Sequence, residues 1–461
     1  MKPILTILFA AAVFLGAADT AGAVDFKAQG DWQLGVMGVA NPTFDSDDKV
    51  DEFMATTRLR TTLEFIAQEN LKGVMRINSG DRTWGADGLA REEESLELDR
   101  AYLDFMVPYS LVNIQAGKQG AALPSTLGSH ILDDEIWGVS LDSPVTPWLG
   151  VTLGWGRADH LAYRDANNGE EEDFPFKDRN DEVDYFYGVL PVSLTGIEVT
   201  PFAAGGIKSA GAYHETDFQY LEDESRQSST VYWAGVNLSA KIYQSLWIQA
   251  DFNYGEHSSN VSGDVVGEES QGWIAALNAE YRADRATPEV FAMYESGHDD
   301  DFQGKGGEER GGVMPSISGD LWGVSTFGMS GSPLRGMGRA ALDEYAGISA
   351  FGPSGKLALG GRLKEMSSFE DVTHELQLTY YQGTNHKDLR GLETNGQDDF
   401  FTTRDTAWEV TLDTHYSMYE NLTAIMELGY LEPSMSSGGD RDNGPEDDAA
   451  WKAATGLRYE F

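Results

Sequence analysis

From Phe53 to Gln68 the chain alternates strictly: Leu59, Thr61, Leu63, Phe65 and Ala67 take one phase, and Arg58, Arg60, Thr62, Glu64 and Gln68 the other. A period of two is the mark of an extended strand with unlike faces. The next segment, Leu71 to Ser79, sets Leu71, Met75 and Ile77 against Lys72, Arg76 and Asn78. Only Glu69-Asn70 lies between them, which predicts a hairpin with a tight turn. The same alternation returns in Tyr232/Ala234/Val236/Leu238/Ala240/Ile242 and in Leu246/Ile248/Ala250/Phe252/Tyr254. It is seen again in Trp273/Ala275/Leu277/Ala279/Tyr281, Trp408/Val410/Leu412/Tyr416 and Leu422/Ala424/Met426/Leu428/Tyr430. The last segment puts Trp451, Ala453, Leu457, Tyr459 and Phe461 on one face and Lys452, Gly456, Arg458 and Glu460 on the other. The chain therefore reads as all-β.

A soluble sandwich shows the same alternation, so two further features decide between the classes. The polar faces carry arginines and carboxylates on strand after strand, as a polar lumen requires. Trp and Tyr recur at the ends of the apolar faces, where a barrel meets the membrane interface. Together these predict a transmembrane antiparallel β-barrel of about 18 strands, within roughly 16 to 20. The connections also alternate. Short links (Glu69-Asn70, Pro108 to Leu111, Tyr243 to Ser245, Asp284 to Thr287, Ser367 to Asp371, Ser417 to Asn421) read as periplasmic turns. Long acidic links (Asn41 to Glu52, Arg157 to Glu182, Ser209 to Gln227, His257 to Glu269, Thr384 to Phe401, Glu432 to Asp448) read as external loops. The stretch 297–354 is open to two readings. It is one long loop, or a loop with an extra hairpin built from Ile317 to Phe327 and Glu344 to Phe351.

Lys2, an apolar run from Ile4 to Leu15 and the small residues Ala21-Gly22-Ala23 form a secretory signal, with cleavage expected after Ala23. Residues 24–461 then make one barrel domain in the outer membrane of a Gram-negative cell. After the signal, no stretch approaches ~20 consecutive apolar residues, so no transmembrane helix is expected. The net charge of −42 is unchanged by signal removal, because Lys2 and Asp19 cancel. Such acidity excludes a nucleic-acid footprint. With no cysteine, a disulfide framework and a thiolate metal site are both excluded.

Short motifs carry a family resemblance. They are Val24-Asp25-Phe26-Lys27-Ala28-Gln29-Gly30, Leu98-Asp99-Arg100-Ala101-Tyr102-Leu103-Asp104-Phe105 and Val112-Asn113-Ile114-Gln115-Ala116-Gly117-Lys118-Gln119. To these are added Phe369-Glu370-Asp371-Val372-Thr373-His374-Glu375-Leu376, Tyr381-Gln382-Gly383-Thr384-Asn385-His386-Lys387 and the terminal Tyr459-Glu460-Phe461. In these the mature chain resembles the homotrimeric outer-membrane porins of sulfate-reducing bacteria. The resemblance implies passive diffusion of small hydrophilic solutes, a homotrimer and no cofactor. Leu457, Tyr459 and Phe461 resemble the terminal-strand signal that barrel-assembly machinery reads. Ala28 and Gly35 are small enough for a close subunit contact.

By analogy with porins, Gly120 to Glu135 is the candidate constriction loop, with Asp133, Asp134 and Glu135 as its acidic cluster. Arg58, Arg60, Arg76 and Arg100 would form the basic wall opposite, across a narrow gap. The alternative is that these arginines pair with lumen carboxylates and stiffen the wall. Lys118 joins the basic set only if a bulge turns it inward, since alternation puts it in phase with Ile114 and Ala116. Acidic loops around the mouth would enrich cations and give mild cation selectivity.

Glu170-Glu171-Glu172-Asp173, Asp299-Asp300-Asp301 and Asp440-Arg441-Asp442-Asn443-Gly444 raise a calcium reading, with Asp440 and Asp442 as ligands. Against it, no Glu stands in the closing position of a calcium loop, and solvated acidic loops explain these runs. Acidic loops also allow divalent bridging to neighbouring lipopolysaccharide, alongside contact of the wall with membrane lipid. His130, His374 and His415 lie near strands, but G-x-S-x-G is absent and no nucleophile motif marks an enzyme. A substrate-selective channel and an adhesin or structural barrel are the remaining alternatives.

Overall fold

A wall that separates lipid from water needs strands with one apolar and one charged face, and in lipid no backbone group is left unpaired. Closure of the sheet meets both demands. The computed structural model describes residues 24–42, 44, 51–79, 82–84, 96–159, 183–208, 228–259, 269–300, 311–317, 334, 355–389, 401–435 and 448–461. The first strands are β1 (Asp25–Ala40), β2 (Asp51–Gln68), β3 (Leu71–Asn78), β4 (Glu97–Met106), β5 (Asn113–Ala122) and β6 (Asp133–Thr146). Next come β7 (Leu149–Asp159), β8 (Val183–Val189, continued by Val192–Leu194), β9 (Ile197–Lys208), β10 (Ser229–Lys241), β11 (Leu246–Ser259) and β12 (Ser270–Tyr281). The wall is completed by β13 (Thr287–Glu295), β14 (Lys356–Phe369), β15 (Val372–Gly383), β16 (Thr406–Tyr419), β17 (Leu422–Ser434) and β18 (Ala450–Glu460). Each pairs antiparallel with the next, and β18 returns to β1 from Glu460↔Asp31 to Trp451↔Ala40. The result is a closed barrel of 18 antiparallel strands.

Register keeps like faces together. Trp32 opposes Leu59 on one side and Tyr459 on the other, all outward, while Gln33 opposes Arg58 and Arg458 toward the lumen. Aromatic rings gather at both ends of the outer face. Phe26 meets Phe65 at 5.5 Å and Trp32 meets Phe461 at 5.3 Å on the side of the short turns. Trp273 meets Tyr294 at 4.8 Å, and Tyr430 meets Trp451 at 4.4 Å, on the side of the long connections. These are the two interfacial belts that the terminal Trp and Tyr positions predict.

The strands that flank 297–354 are neighbours in the wall. β13 pairs directly with β14, from Thr287↔Lys364 to Tyr294↔Leu357, with no described strand between them. Of the two segments proposed there, only Ile317 lies among the described residues. The signal segment 1–23, Glu170 to Asp173, Asp440 and Asp442 lie outside them.

Candidate functional site

The β4–β5 ladder stops at Ala101↔Lys118, whereas the β5–β6 ladder runs on to Ala122↔Asp133. Beyond Lys118 the two strands form a ribbon that has left the wall. Gly117 marks the departure with a φ of 132°, a conformation open to glycine because it has no Cβ. The tip, 123–132, is closed by the Leu123 N–H donating to the Leu132 carbonyl at 3.0 Å. Ser129 Oγ stiffens it by donating to the same carbonyl at 2.6 Å and accepting the Leu132 N–H at 3.2 Å. Leu127, Ile131 and Leu132 are buried. The tip reaches the far side of the lumen, where the Thr126 N–H donates to Asp251 Oδ2 on β11 at 2.5 Å and Asn237 Nδ2 on β10 donates to Thr126 Oγ1 at 3.1 Å.

A second inward segment, 311–317, lies on the lumen face of β10 to β12. Trp233 Nε1 donates to the Pro315 carbonyl at 2.7 Å, and the Gln271 N–H donates to the Gly311 carbonyl at 2.8 Å. The Ile317 N–H donates to the Ile131 carbonyl at 2.9 Å, so segment and ribbon form one continuous band. Further along the same connection, the Leu334 N–H donates to Glu427 Oε1 on β17 at 2.6 Å.

Two buried histidines hold this band. His130, on the tip, is 5% exposed, and neither ring nitrogen has a hydrogen-bond partner. Burial, with the Lys356 charge adding to it, pushes its pKa down to about 3. His298 follows β13; its Nδ1 accepts the Gly312 N–H at 2.9 Å, and burial lowers its pKa to about 4. Beside it, Asn385 joins two connections, β13–β14 and β15–β16. Its side chain accepts the His298 N–H at 2.8 Å and donates to the Phe401 carbonyl at 3.0 Å, and its backbone carbonyl accepts the Thr403 N–H at 2.8 Å. Replacing Asn385 with Ala strands a buried donor and a buried acceptor. We expect a local loss of about 2–3 kcal/mol, read as faster amide exchange at His298 and Thr403.

The charged residues fall into three groups. Arg60, Arg76, Arg100 and Glu135 come together. Glu135 accepts from Arg76 Nη2, and from Arg100 Nε and Nη2 at 3.3 and 3.2 Å. Alternation puts Glu135 in phase with the outward Trp137. It meets lumen arginines because the ribbon has bent inward, bringing its formerly outer face against β3 and β4. Acid and base are thus in contact here, with no gap between them. Arg58 is buried on β2, opposite Gln33. Asp133 and Asp134 are exposed at the start of β6, with Asp134 Oδ1 accepting the Glu135 N–H at 2.6 Å.

Lys118 corrects one expectation. It pairs with Ala101 and Trp137 in unbroken register, so no bulge turns it inward. It shares the outer phase of Trp137, which is 56% exposed, and its Nζ donates to the Leu98 carbonyl at 3.0 Å. One residue was not anticipated: Asp99, whose Oδ2 stands 3.2 Å from Arg76 Nε and 3.5 Å from Arg60 Nε.

Carboxylates dominate the lumen face of β12 to β17. Lys364 Nζ bridges Glu280 and Glu289, each at 2.6 Å, and Arg362 Nη1 reaches Glu289 at 3.1 Å. Glu375, Asp413 and Glu427 stand directly opposite one another on three neighbouring strands, and Lys452 Nζ reaches Glu427 at 2.8 Å. Among the described residues, no group of three His, Asp or Glu side chains is placed to hold a metal ion. The three histidines singled out in the sequence are dispersed: His130 is on the ribbon, His374 Nδ1 is 2.9 Å from Thr414 Oγ1 on the outer phase, and His415 is in the lumen phase of β16.

No family model matches the chain, and no curated protein does. Solved structures do. The chain is similar to Pseudomonas aeruginosa OpdQ, with 11% identity over 95% of this chain and 99% of that one and a TM-score of 0.53. It is similar to Pseudomonas aeruginosa OccK11 (OpdR), with 12% identity over 95% and 96% and a TM-score of 0.52. Pseudomonas aeruginosa OpdL gives 11%, 95%, 99% and 0.51. At such low identity the likeness speaks for architecture, and it is end to end: the chain has the closed 18-strand fold of the outer-membrane porins.

Proposed function

We propose that this chain forms a water-filled channel in the bacterial outer membrane, through which small hydrophilic solutes and ions diffuse passively. The observation that carries the reading is a closed wall of 18 strands with an apolar outer face and a charged inner one. Such a wall encloses more room than its own side chains fill. In this reading the ribbon and segment 311–317 narrow the passage, and Arg60, Arg100, Asp133 and Asp134 face the moving solute. Glu135, Arg76 and Arg100 fasten the base of the ribbon, while the carboxylates of β12 to β17 make the channel mildly cation-selective. The resemblance to homotrimeric porins supports a homotrimer surrounded by lipid and lipopolysaccharide. Barrel-assembly machinery would read Leu457 and Tyr459, which face outward beside Leu34 and Trp32, together with Phe461.

Single-channel recording in planar bilayers tests this. Ohmic openings in groups of three, with a reversal potential under a salt gradient of the sign for cation preference, are expected. Silence from correctly folded protein would overturn the channel and leave an adhesin or structural barrel. A second reading, a substrate-selective channel, is favoured by the bond from Ile317 to Ile131, which makes the two inward segments one band. It predicts solute flux that saturates with concentration, where a general porin gives a linear rise.

A further inference from the structure

β4 carries one more residue than the strand beside it. Arg76 opposes Arg100 and Ile77 opposes Leu98, which leaves Asp99 outside the ladder. An extra residue of this kind is a β-bulge, and it re-aims the side chains around it. The outer face shows the effect. Leu98 is 41% exposed and Leu103 is 54% exposed, yet they stand five positions apart, an odd step that strict alternation forbids. The bulge absorbs the odd step, so Asp99 and Arg100 both come to the lumen.

Three guanidinium groups then share two carboxylates. Glu135 reaches Arg76 and Arg100 from the ribbon, and Asp99 reaches Arg60 and Arg76 from the wall. The side chains of Asp99 and Arg76 are each 11% exposed, while those of Arg60 and Arg100 are 35% and 34% exposed. The carboxylate therefore sits behind the two arginines that meet the water. Neither of its contacts with arginine is a directed hydrogen bond, since Asp99 Oδ2, Arg60 Nε and Arg76 Nε have no hydrogen-bond partner. What Asp99 supplies is charge more than shape, and a charge held behind the surface is screened less by salt than an exposed one.

We infer that Asp99 is a specificity-determining residue, which sets how positive the β2–β4 face of the lumen is and so how that face discriminates small anions from small cations. The inference rests on the channel reading above. With Asp99 ionised the cluster carries one excess positive charge; without it, two. A unit charge about 7 Å from a passing ion acts on it in water by roughly one RT, close to threefold in its local concentration.

The test is the reversal potential of full-length protein in planar bilayers under a potassium chloride gradient. Asp99→Asn keeps the size of the side chain and removes the charge. It is expected to raise chloride over potassium permeability by about sevenfold relative to wild type, the gain for the anion multiplying the loss for the cation, with the folded barrel retained. Asp99→Glu, which keeps the charge, is expected to hold the wild-type ratio, and Asp99→Ser carries the test if Asp99→Asn does not fold. A merely structural Asp99 would change thermal stability and leave the ratio of the neutral variants at the wild-type value, which overturns the inference while the channel stands. A wild-type protein that conducts nothing removes the channel reading, and this inference with it.

Discussion

Lowering the pH from 7 to 5 loosens the inward band, and His130→Gln together with His298→Gln abolishes that response. Both histidines are docked in the neutral form, with pKa values of about 3 and about 4. A released histidine titrates near 6.5, so the released state binds more protons than the docked one. Docking is therefore at full strength above about pH 6.5 and weakens as the pH falls toward the docked values. At pH 5 the loss is about 2 kcal/mol per histidine, or roughly thirtyfold in the release equilibrium. Other charges shape the response. Lys356 opposes a proton on His130, Glu295 and Glu409 act on Lys356 in turn, and Asp251 holds the tip through Thr126. Protonating His298 at Nδ1 also removes the acceptor of the Gly312 N–H. Amide exchange at Ile317, corrected for its intrinsic pH dependence, reads the release directly. Equal protection at pH 7 and pH 5, or the same loss in the double variant, would rule the histidines out.

The second large effect is expected at the point where the ribbon leaves the wall. Gly117→Val should abolish the folded barrel. A Cβ at Gly117 would stand 2.2 Å from the Ala101 carbonyl oxygen and 2.8 Å from Tyr102 Cα, both backbone atoms of the neighbouring strand. The φ of 132° adds strain of about 1–3 kcal/mol for any residue with a side chain. Neither cost can relax without opening the β4–β5 ladder. Gly73→Ala is the matched control, because its Cβ would meet only Leu103 Cδ2 at an ordinary 3.9 Å. Unheated gels that separate folded from unfolded barrel give the readout. A folded Gly117→Val protein would show that the ribbon leaves the wall by some other geometry.

How far the sequence foretold this molecule depends on whether a residue obeys the period of two. Where alternation is unbroken, as in β2 from Arg58 to Glu64 and in β18, the faces were legible down to single residues. The turn at Glu69-Asn70 was equally plain. Lys118 follows its phase outward beside Trp137, and only the hope of a bulge set it inside. The bulge that does exist lies one strand earlier, at Asp99, and its trace was the odd spacing of Leu98 and Leu103. Glu135 lies at the end of the loop that the sequence singles out, but its contact with Arg76 depends on the ribbon bending inward. Strand periodicity holds no record of that bend. The docking of 311–317 was hidden for a like reason. Trp233 sits in the polar phase of β10, an anomaly explained only when the Pro315 carbonyl is found above its ring nitrogen.

The seam between β1 and β18 has a consequence for how the molecule comes into being. The two strands that seal the wall stand at opposite ends of the described chain and are joined by ten paired positions. Contacts so far apart in sequence carry the greatest chain-closure entropy and form late. Until that seam forms, β1 therefore keeps one naked edge, its amides and carbonyls open to any passing strand. An arrested chain is a template for aggregation, and the step that ends the hazard is the zipping of Asp31–Ala40 onto Trp451–Glu460.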